Sequence, residues 1–106
     1  MTQSKVKESA IDGAILKFIS QTIKNFFPEG KVKVYIYGSR ARGDFGPKSD
    51  YDLAFELPPG KSDAGFLLTI KDEAPTLCGV DAVNMNQVGE KLKKEILRER
   101  ILIYET

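Results

Sequence analysis

Two groups of residues suited to phosphate chemistry lie close together in the middle of the chain. Gly38 and Ser39 follow a β-branched and aromatic segment. Backbone amides at such a strand-to-turn junction can approach a phosphate closely. After ten further residues the chain reads Asp50-Tyr51-Asp52. We therefore take residues 38–53 as the candidate active site.

The two aspartates are spaced to act together. In a strand, residues two apart point to the same face, so Asp50 and Asp52 would share one face while Tyr51, Leu53 and Phe55 occupy the other. Adjacent carboxylates repel each other, and a hard divalent cation such as Mg²⁺ offsets that repulsion while sharing its oxygen ligands with phosphates. An ordinary turn followed by a solvated strand end is the alternative. Finding both features together, each after a strand-like segment, favours a site for a metal-bound nucleoside triphosphate.

A third acid, Asp81, lies among apolar neighbours in Val80-Asp81-Ala82-Val83. A charge in such a segment is costly unless it is paired or bound to a metal. The residues alone leave two interpretations open: a third metal ligand from a neighbouring strand, or a lone acid at a strand end.

Arg40 and Arg42 follow Ser39 directly. Arginine is a strong bidentate donor to phosphate, so either side chain could bind a triphosphate or the pyrophosphate leaving group. The alternative is that each arginine only forms an ion pair with Asp44 or Asp50.

Helices and strands alternate around these residues, which predicts an α/β (α+β) fold. A long amphipathic helix is expected over residues 4–27, ended by Pro28-Glu29-Gly30. Its apolar stripe could bind a partner, but packing on the protein's own sheet is the more common use. The further predicted elements are strands at 31–37 and 50–55, a helix from the N-cap Ser62 to Ala74, a strand at 77–85, a charged helix at 87–100 and an apolar strand or docking tail at 101–105. The mixed charges of the last helix fit a solvated surface better than a nucleic-acid patch.

Composition narrows the possible functions. A chain of 106 residues with 42% hydrophobic content fits one domain, residues 1–106. The net charge of +1 provides no overall field for nucleic acid or an anionic membrane, so we expect neither as a direct partner. No apolar run suits a membrane span, and Met1 to Lys7 is too polar for a signal peptide. The expected location is the cytoplasm.

The chain has one cysteine, Cys78, and no histidine. A single cysteine cannot form an internal disulfide, which agrees with a reducing compartment, and we expect Cys78 to be a packing residue. Without histidine, Ser-His and Cys-His catalysis and histidine metal sites are excluded. Oxygen-ligand metal chemistry remains.

At these residues the chain resembles a known family. Gly38-Ser39, ten residues, then Asp50-x-Asp52 is similar to the signature of the DNA polymerase β-type nucleotidyltransferases. The sequence Gly-Ser-Arg-Ala-Arg-Gly resembles that of the minimal nucleotidyltransferases (MNT) that act as antitoxins. The resemblance covers roughly residues 32–105 and implies a small mixed β-sheet flanked by helices. Tyr51 departs from the family, in which an aliphatic residue is more frequent between the acids.

The resemblance also implies a site and a reaction. Asp50, Asp52 and Asp81 would be the catalytic residues and would hold two Mg²⁺ ions. Gly38 and Ser39 would bind the phosphates of ATP. In relatives of this type AMP passes from ATP to a tyrosine of a HEPN toxin, the expected partner here.

Three other functions remain open at the level of sequence. They are nucleotidyl transfer to a small molecule with help from a second subunit, neutralisation of a partner by binding alone, and a glycosyltransferase with an Asp-x-Asp motif. The last would leave the Gly-Ser turn unexplained, and the chain is short for a nucleotide-sugar fold.

Overall fold

The computed structural model describes residues 11–60 and 63–106. Helices and strands alternate along this part of the chain, as the sequence predicts. The elements in order are α1 (Gly13–Phe26), β1 (Lys33–Tyr37), α2 (Ser39–Arg42), β2 (Tyr51–Glu56), α3 (Ala64–Glu73), β3 (Val80–Asn84), α4 (Glu90–Glu99) and β4 (Ile101–Glu105).

The four strands form one mixed sheet in the order β3-β2-β1-β4. β1 pairs antiparallel with both β2 and β4, and β2 pairs parallel with β3. The predicted mixed sheet flanked by helices is confirmed. β1 and β2, which border the candidate site, are the two inner strands, so their geometry is fixed from both sides.

Helices cover both faces of the sheet. The face covered by α1 and α3 has a core of branched and aromatic side chains from the inner strands, namely Val34, Ile36, Leu53 and Phe55. The apolar stripe of α1 packs into this core through Ile15, Ile19 and Ile23, as expected. On the opposite face Ile96 of α4 packs with Tyr35, Tyr37 and Ala54.

Several boundaries differ from the expectations. α1 begins at Gly13, after Asp12, whose carboxylate accepts a hydrogen bond from the Ala14 amide and so caps the helix. The predicted start at Ser4 and the predicted N-cap Ser62 lie outside the described residues. β3 begins at Val80, three residues after the predicted start, and Leu77 lies fully exposed in the preceding loop.

The apolar segment 101–105 is a strand and not a free tail. It pairs with β1 along its length, apart from a register shift opposite Val34 and Tyr35. Within the described residues, no helix is long and apolar enough to cross a membrane.

Candidate active site

The turn after β1 requires glycine for two reasons. Gly38 has φ 78° and ψ −155°, a backbone conformation that is almost restricted to glycine. In addition, a Cβ atom at this position would collide with Oδ2 of Asp52. The turn and the second acid of the sequence motif are therefore in direct proximity, and the missing side chain of Gly38 makes room for the carboxylate.

The strand register places three side chains next to one another across the sheet. Asp52 is opposite Tyr37 in the antiparallel pair and opposite Asp81 in the parallel pair. Asp52 shares its face with Ala54, two residues on, so these groups lie on the side of the sheet that α4 covers. Asp52 is half-buried and Asp81 is exposed. The two acids that sequence left in separate segments are thus neighbours.

The acidic side chains of this cluster change the pKa of Asp52. Burial raises the pKa of the Asp52 carboxyl, and the negative charges of Asp81, Asp50 and Glu95 raise it further, against a smaller opposing effect of Arg42. The site therefore carries an excess of negative charge that a cation would stabilise.

Tyr37 stays neutral in this setting. Burial, followed by the charges of Asp81 and Asp52, raises the pKa of its phenol far above the usual value. The Tyr37 hydroxyl can therefore donate a hydrogen bond but is a poor nucleophile at neutral pH.

Asp50 lies just before β2 and is exposed. Its Oδ1 accepts a hydrogen bond from the amide of Gly79 at 3.2 Å. A Cβ atom at Gly79 would come within 2.7 Å of the same oxygen, so the absence of a side chain permits this contact. The entrance of β3 thereby holds the first acid of the pair.

The donor set fits a divalent cation, although the acids do not form a closed cluster. Among residues 11–60 and 63–106, no three His, Cys, Asp or Glu side chains are grouped so that they could hold a metal ion. Asp52 and Asp81 nevertheless offer only oxygen atoms from paired strand positions, and their repulsion raises the pKa of Asp52. Mg²⁺ prefers such ligands and completes its coordination with water and phosphate oxygens.

A carboxylate that was not anticipated bridges two of the groups predicted to bind phosphate. Oε1 of Glu99 accepts a hydrogen bond from the Gly38 amide at 3.1 Å, and Oε2 lies 3.1 Å from Nη1 of Arg42. Arg42 also pairs with Asp44 at 3.2 Å, the alternative that the sequence left open. An anion thus lies at the turn where a phosphate is expected.

Sequence reasoning missed Glu99 and also Glu95, whose charge reaches Asp52. Both lie on α4, which we interpreted as a solvated charged helix. Their helical spacing contained a signal: positions 92, 95, 96 and 99 share one face, and Leu92 and Ile96 on that face pack against the sheet. Acids that interrupt an apolar stripe face the same way as the stripe.

Arg40 has a different environment from Arg42. It is 6% exposed, and its guanidinium donates to the carbonyl oxygen of Ser49 from Nε at 3.1 Å and from Nη2 at 2.9 Å. Its Cζ also lies 3.8 Å from the ring centroid of Tyr51 and 4.8 Å from that of Phe45. These contacts favour a role inside the protein over a contact with phosphate.

Comparison with known proteins adds independent findings. The family model "Polymerase beta, Nucleotidyltransferase" matches residues 21–106. No curated protein sequence matches the chain. A crystal structure described as a toxin-antitoxin with AMP-PNP is similar in fold, with a TM-score of 0.67 at 17% identity over 85% of this chain and 73% of that one.

Two further solved structures have the same fold. A toxin-antitoxin MntA-HepT crystal structure aligns with a TM-score of 0.60 at 15% identity, covering 87% of this chain and 71% of that one. A structure described as a candidate minimal nucleotidyltransferase aligns with a TM-score of 0.57 at 26% identity, covering 82% and 90%.

Proposed function

Because the chain belongs to the polymerase β nucleotidyltransferase family and is therefore a nucleotidyltransferase, we propose that it transfers AMP from ATP to a tyrosine hydroxyl of a partner HEPN toxin. In this role it would act as the antitoxin. The observation that carries the transferase chemistry is the register that sets Asp52 beside Asp81 and next to the Gly38 turn. The proposal of a toxin partner is supported by the similarity to solved toxin-antitoxin structures, one of them with AMP-PNP.

The turn would hold the leaving phosphates. Gly38 and Ser39 offer backbone amides, and Ser39 adds a hydroxyl at the start of α2. Arg42, with 46% of its side chain exposed, is accessible to a phosphate, whereas Arg40 is enclosed. A triphosphate bound here has to replace the carboxylate of Glu99. Binding therefore exchanges one anion for another at the same donors.

Asp52 and Asp81, at paired strand positions, would hold Mg²⁺ together with Asp50, and water and phosphate oxygens would complete its coordination. When bound, the metal supplies positive charge next to the reacting phosphate and lowers the pKa of the attacking hydroxyl. Asp81 is exposed, so it can face an acceptor that arrives from outside and can accept the proton of its hydroxyl. Asp50 and Asp52 would provide the negative charge that binds the metal beside the phosphates. In the reaction the acceptor oxygen forms a bond to the α-phosphorus, and the bond to the pyrophosphate oxygen breaks.

The experiment is protein labelling. The purified protein is incubated with Mg²⁺ and α-labelled ATP in lysate of its source cells, beside an Asp50→Asn/Asp52→Asn variant. Asp72→Asn, which removes an exposed acid from α3, is the matched control. We expect a labelled protein band with the wild type and with Asp72→Asn, no band with the double variant, and no band when EDTA removes the metal.

Other outcomes would redirect the proposal. Pyrophosphate release that depends on a small-molecule extract, without a labelled protein, would indicate a small acceptor. Nucleotide binding without either signal would indicate a module that neutralises its partner by binding alone.

A further inference from the structure

The feature that the reaction does not yet explain is a buried arginine beside the acid pair. Arg40 is 6% exposed, and none of the ion pairs found in residues 11–60 and 63–106 includes it. A buried charge is costly unless other groups stabilise it. Here a backbone carbonyl and two aromatic rings do so. Such an arrangement is expected when the position of the guanidinium, and not its charge alone, matters to the protein.

Two of the partners of Arg40 are the chain neighbours of Asp50. On one side Nε and Nη2 both donate to the carbonyl oxygen of Ser49, at 3.1 and 2.9 Å. On the other side the guanidinium stacks on the ring of Tyr51, with Cζ 3.8 Å from the centroid. The planar fork of arginine can make both contacts at once, which the ammonium of lysine cannot.

Two further contacts join the surrounding loops to the same group. The ring of Phe45, from the loop before Asp50, lies 4.8 Å from Cζ of Arg40. Nη2 lies 3.8 Å from Sγ of Cys78, the residue before Gly79, whose amide binds the Asp50 carboxylate. Arg40 itself belongs to α2, directly after the Gly38-Ser39 turn. One side chain thus connects the turn, the loop that leads to Asp50 and the segment that holds its carboxylate.

We propose that Arg40 is a positioning residue that fixes Asp50 relative to the turn at Gly38 and Ser39, and that Tyr51 is the platform it requires. The inference rests on the proposed function insofar as Asp50 is a metal ligand. It also gives a reason for the aromatic residue between the two acids, because an aliphatic side chain at position 51 would offer the guanidinium no π face.

The test separates positioning from direct phosphate contact. The variants are Arg40→Met, which keeps length and removes the fork, Arg40→Lys, which keeps the charge, and Tyr51→Leu. The matched control is Arg100→Met, because Arg100 also stacks on a tyrosine of the sheet, with Cζ 4.5 Å from the ring centroid of Tyr35. ATP affinity is measured by calorimetry with EDTA and again with Mg²⁺.

We expect the ATP affinity in EDTA to be unchanged in all variants. The gain in affinity on adding Mg²⁺ should be kept in Arg100→Met and lost in Arg40→Met, Arg40→Lys and Tyr51→Leu. If Arg40 contacted phosphate, Arg40→Met would weaken ATP binding in EDTA and Tyr51→Leu would not. That result, or an unchanged Mg²⁺ gain in Arg40→Met, would overturn the inference.

Amide hydrogen exchange provides a readout that needs neither nucleotide nor metal. Loss of hydrogen bonds from a charged group should speed exchange of the segment 44–52 about tenfold or more in Arg40→Met, with the segment 33–37 unchanged. Equal exchange in wild type and variant would refute the positioning role even if ATP binds. Absence of ATP binding in the wild type, together with faster exchange in Arg40→Met, would refute the proposed function and leave the placement of Asp50 by Arg40 supported.

Discussion

Replacing Gly38 by alanine should harm the reaction far more than it harms the fold. The φ of 78° with ψ −155° costs an alanine about 1–3 kcal/mol. A domain with about 5–15 kcal/mol of stability tolerates that loss. The new methyl group also meets Oδ2 of Asp52, the flexible end of a side chain, which has to retreat by roughly 1 Å. If Asp52 holds the metal as proposed, a displacement of this size should lower the rate by about 100-fold.

Two other glycines separate the contributions of strain and collision. Gly43 has φ 90° and open space around its Cβ position, so Gly43→Ala adds strain of about 1–2 kcal/mol without a collision. Gly79 has no positive φ, yet its Cβ would press on Oδ1 of Asp50, so Gly79→Ala adds a collision without that strain.

The assays are urea unfolding for the free energy of unfolding and the labelling reaction for the rate. We expect Gly38→Ala and Gly43→Ala to lose similar stability, Gly79→Ala to lose less, and only Gly38→Ala and Gly79→Ala to lose most of the rate. If Gly43→Ala reduced the rate as strongly as Gly38→Ala, the collision with the acid pair would not be the cause and the reasoning would be refuted.

Two predictions concern the charges of the site. The pKa of Asp52 is higher in the folded protein than in the unfolded chain. Its contribution to stability is therefore full below the unfolded-state pKa and is lost as the pH rises through the folded-state pKa. Asp52→Asn should thus raise the free energy of unfolding at pH 7 while abolishing transfer. Urea unfolding of both proteins across pH checks this, and a variant less stable than wild type at pH 7 would contradict it. Glu99→Gln should tighten ATP binding about tenfold in calorimetry, because it removes the negative charge that now binds the Gly38 amide and the Arg42 guanidinium. Glu90→Gln, at the exposed start of α4, is the control and should change the affinity little. Weaker binding by Glu99→Gln would show that this carboxylate supports the turn instead of competing with phosphate.

The strands β1 and β2 were predictable because local patterns determine them. The alternation in 31–37 and the period of two from Asp50 to Phe55 reflect one side chain per face, whatever the strand's neighbours are. The glycine at position 38 was predictable as a turn residue. Its second role, making room for Asp52, depends on the pairing of two strands, which no local pattern contains.

The sequence alone could not distinguish the environments of the two arginines. Arg40 and Arg42 lie two apart in the same short segment, and both suit phosphate. Their difference arises because the loop 43–50 folds over one of them, and that packing depends on Phe45 and Tyr51 meeting the same guanidinium. The carboxylate of Glu99 was missed for a similar reason: its contact with Gly38 spans 61 residues of chain.

The position of β1 between β2 and β4 has a consequence for synthesis on the ribosome. β1 leaves the exit tunnel about 70 residues before β4, an interval of several seconds at ordinary translation rates. During that time one edge of an apolar strand has no partner, and closing the long loop to β4 is slow. Gly38 gains its contact with Glu99 only when the segment beside β4 has been made. The nascent chain therefore exposes this edge of β1 until residues 101–105 emerge, and the turn at Gly38 cannot form its hydrogen bond with Glu99 before residue 99 has been made.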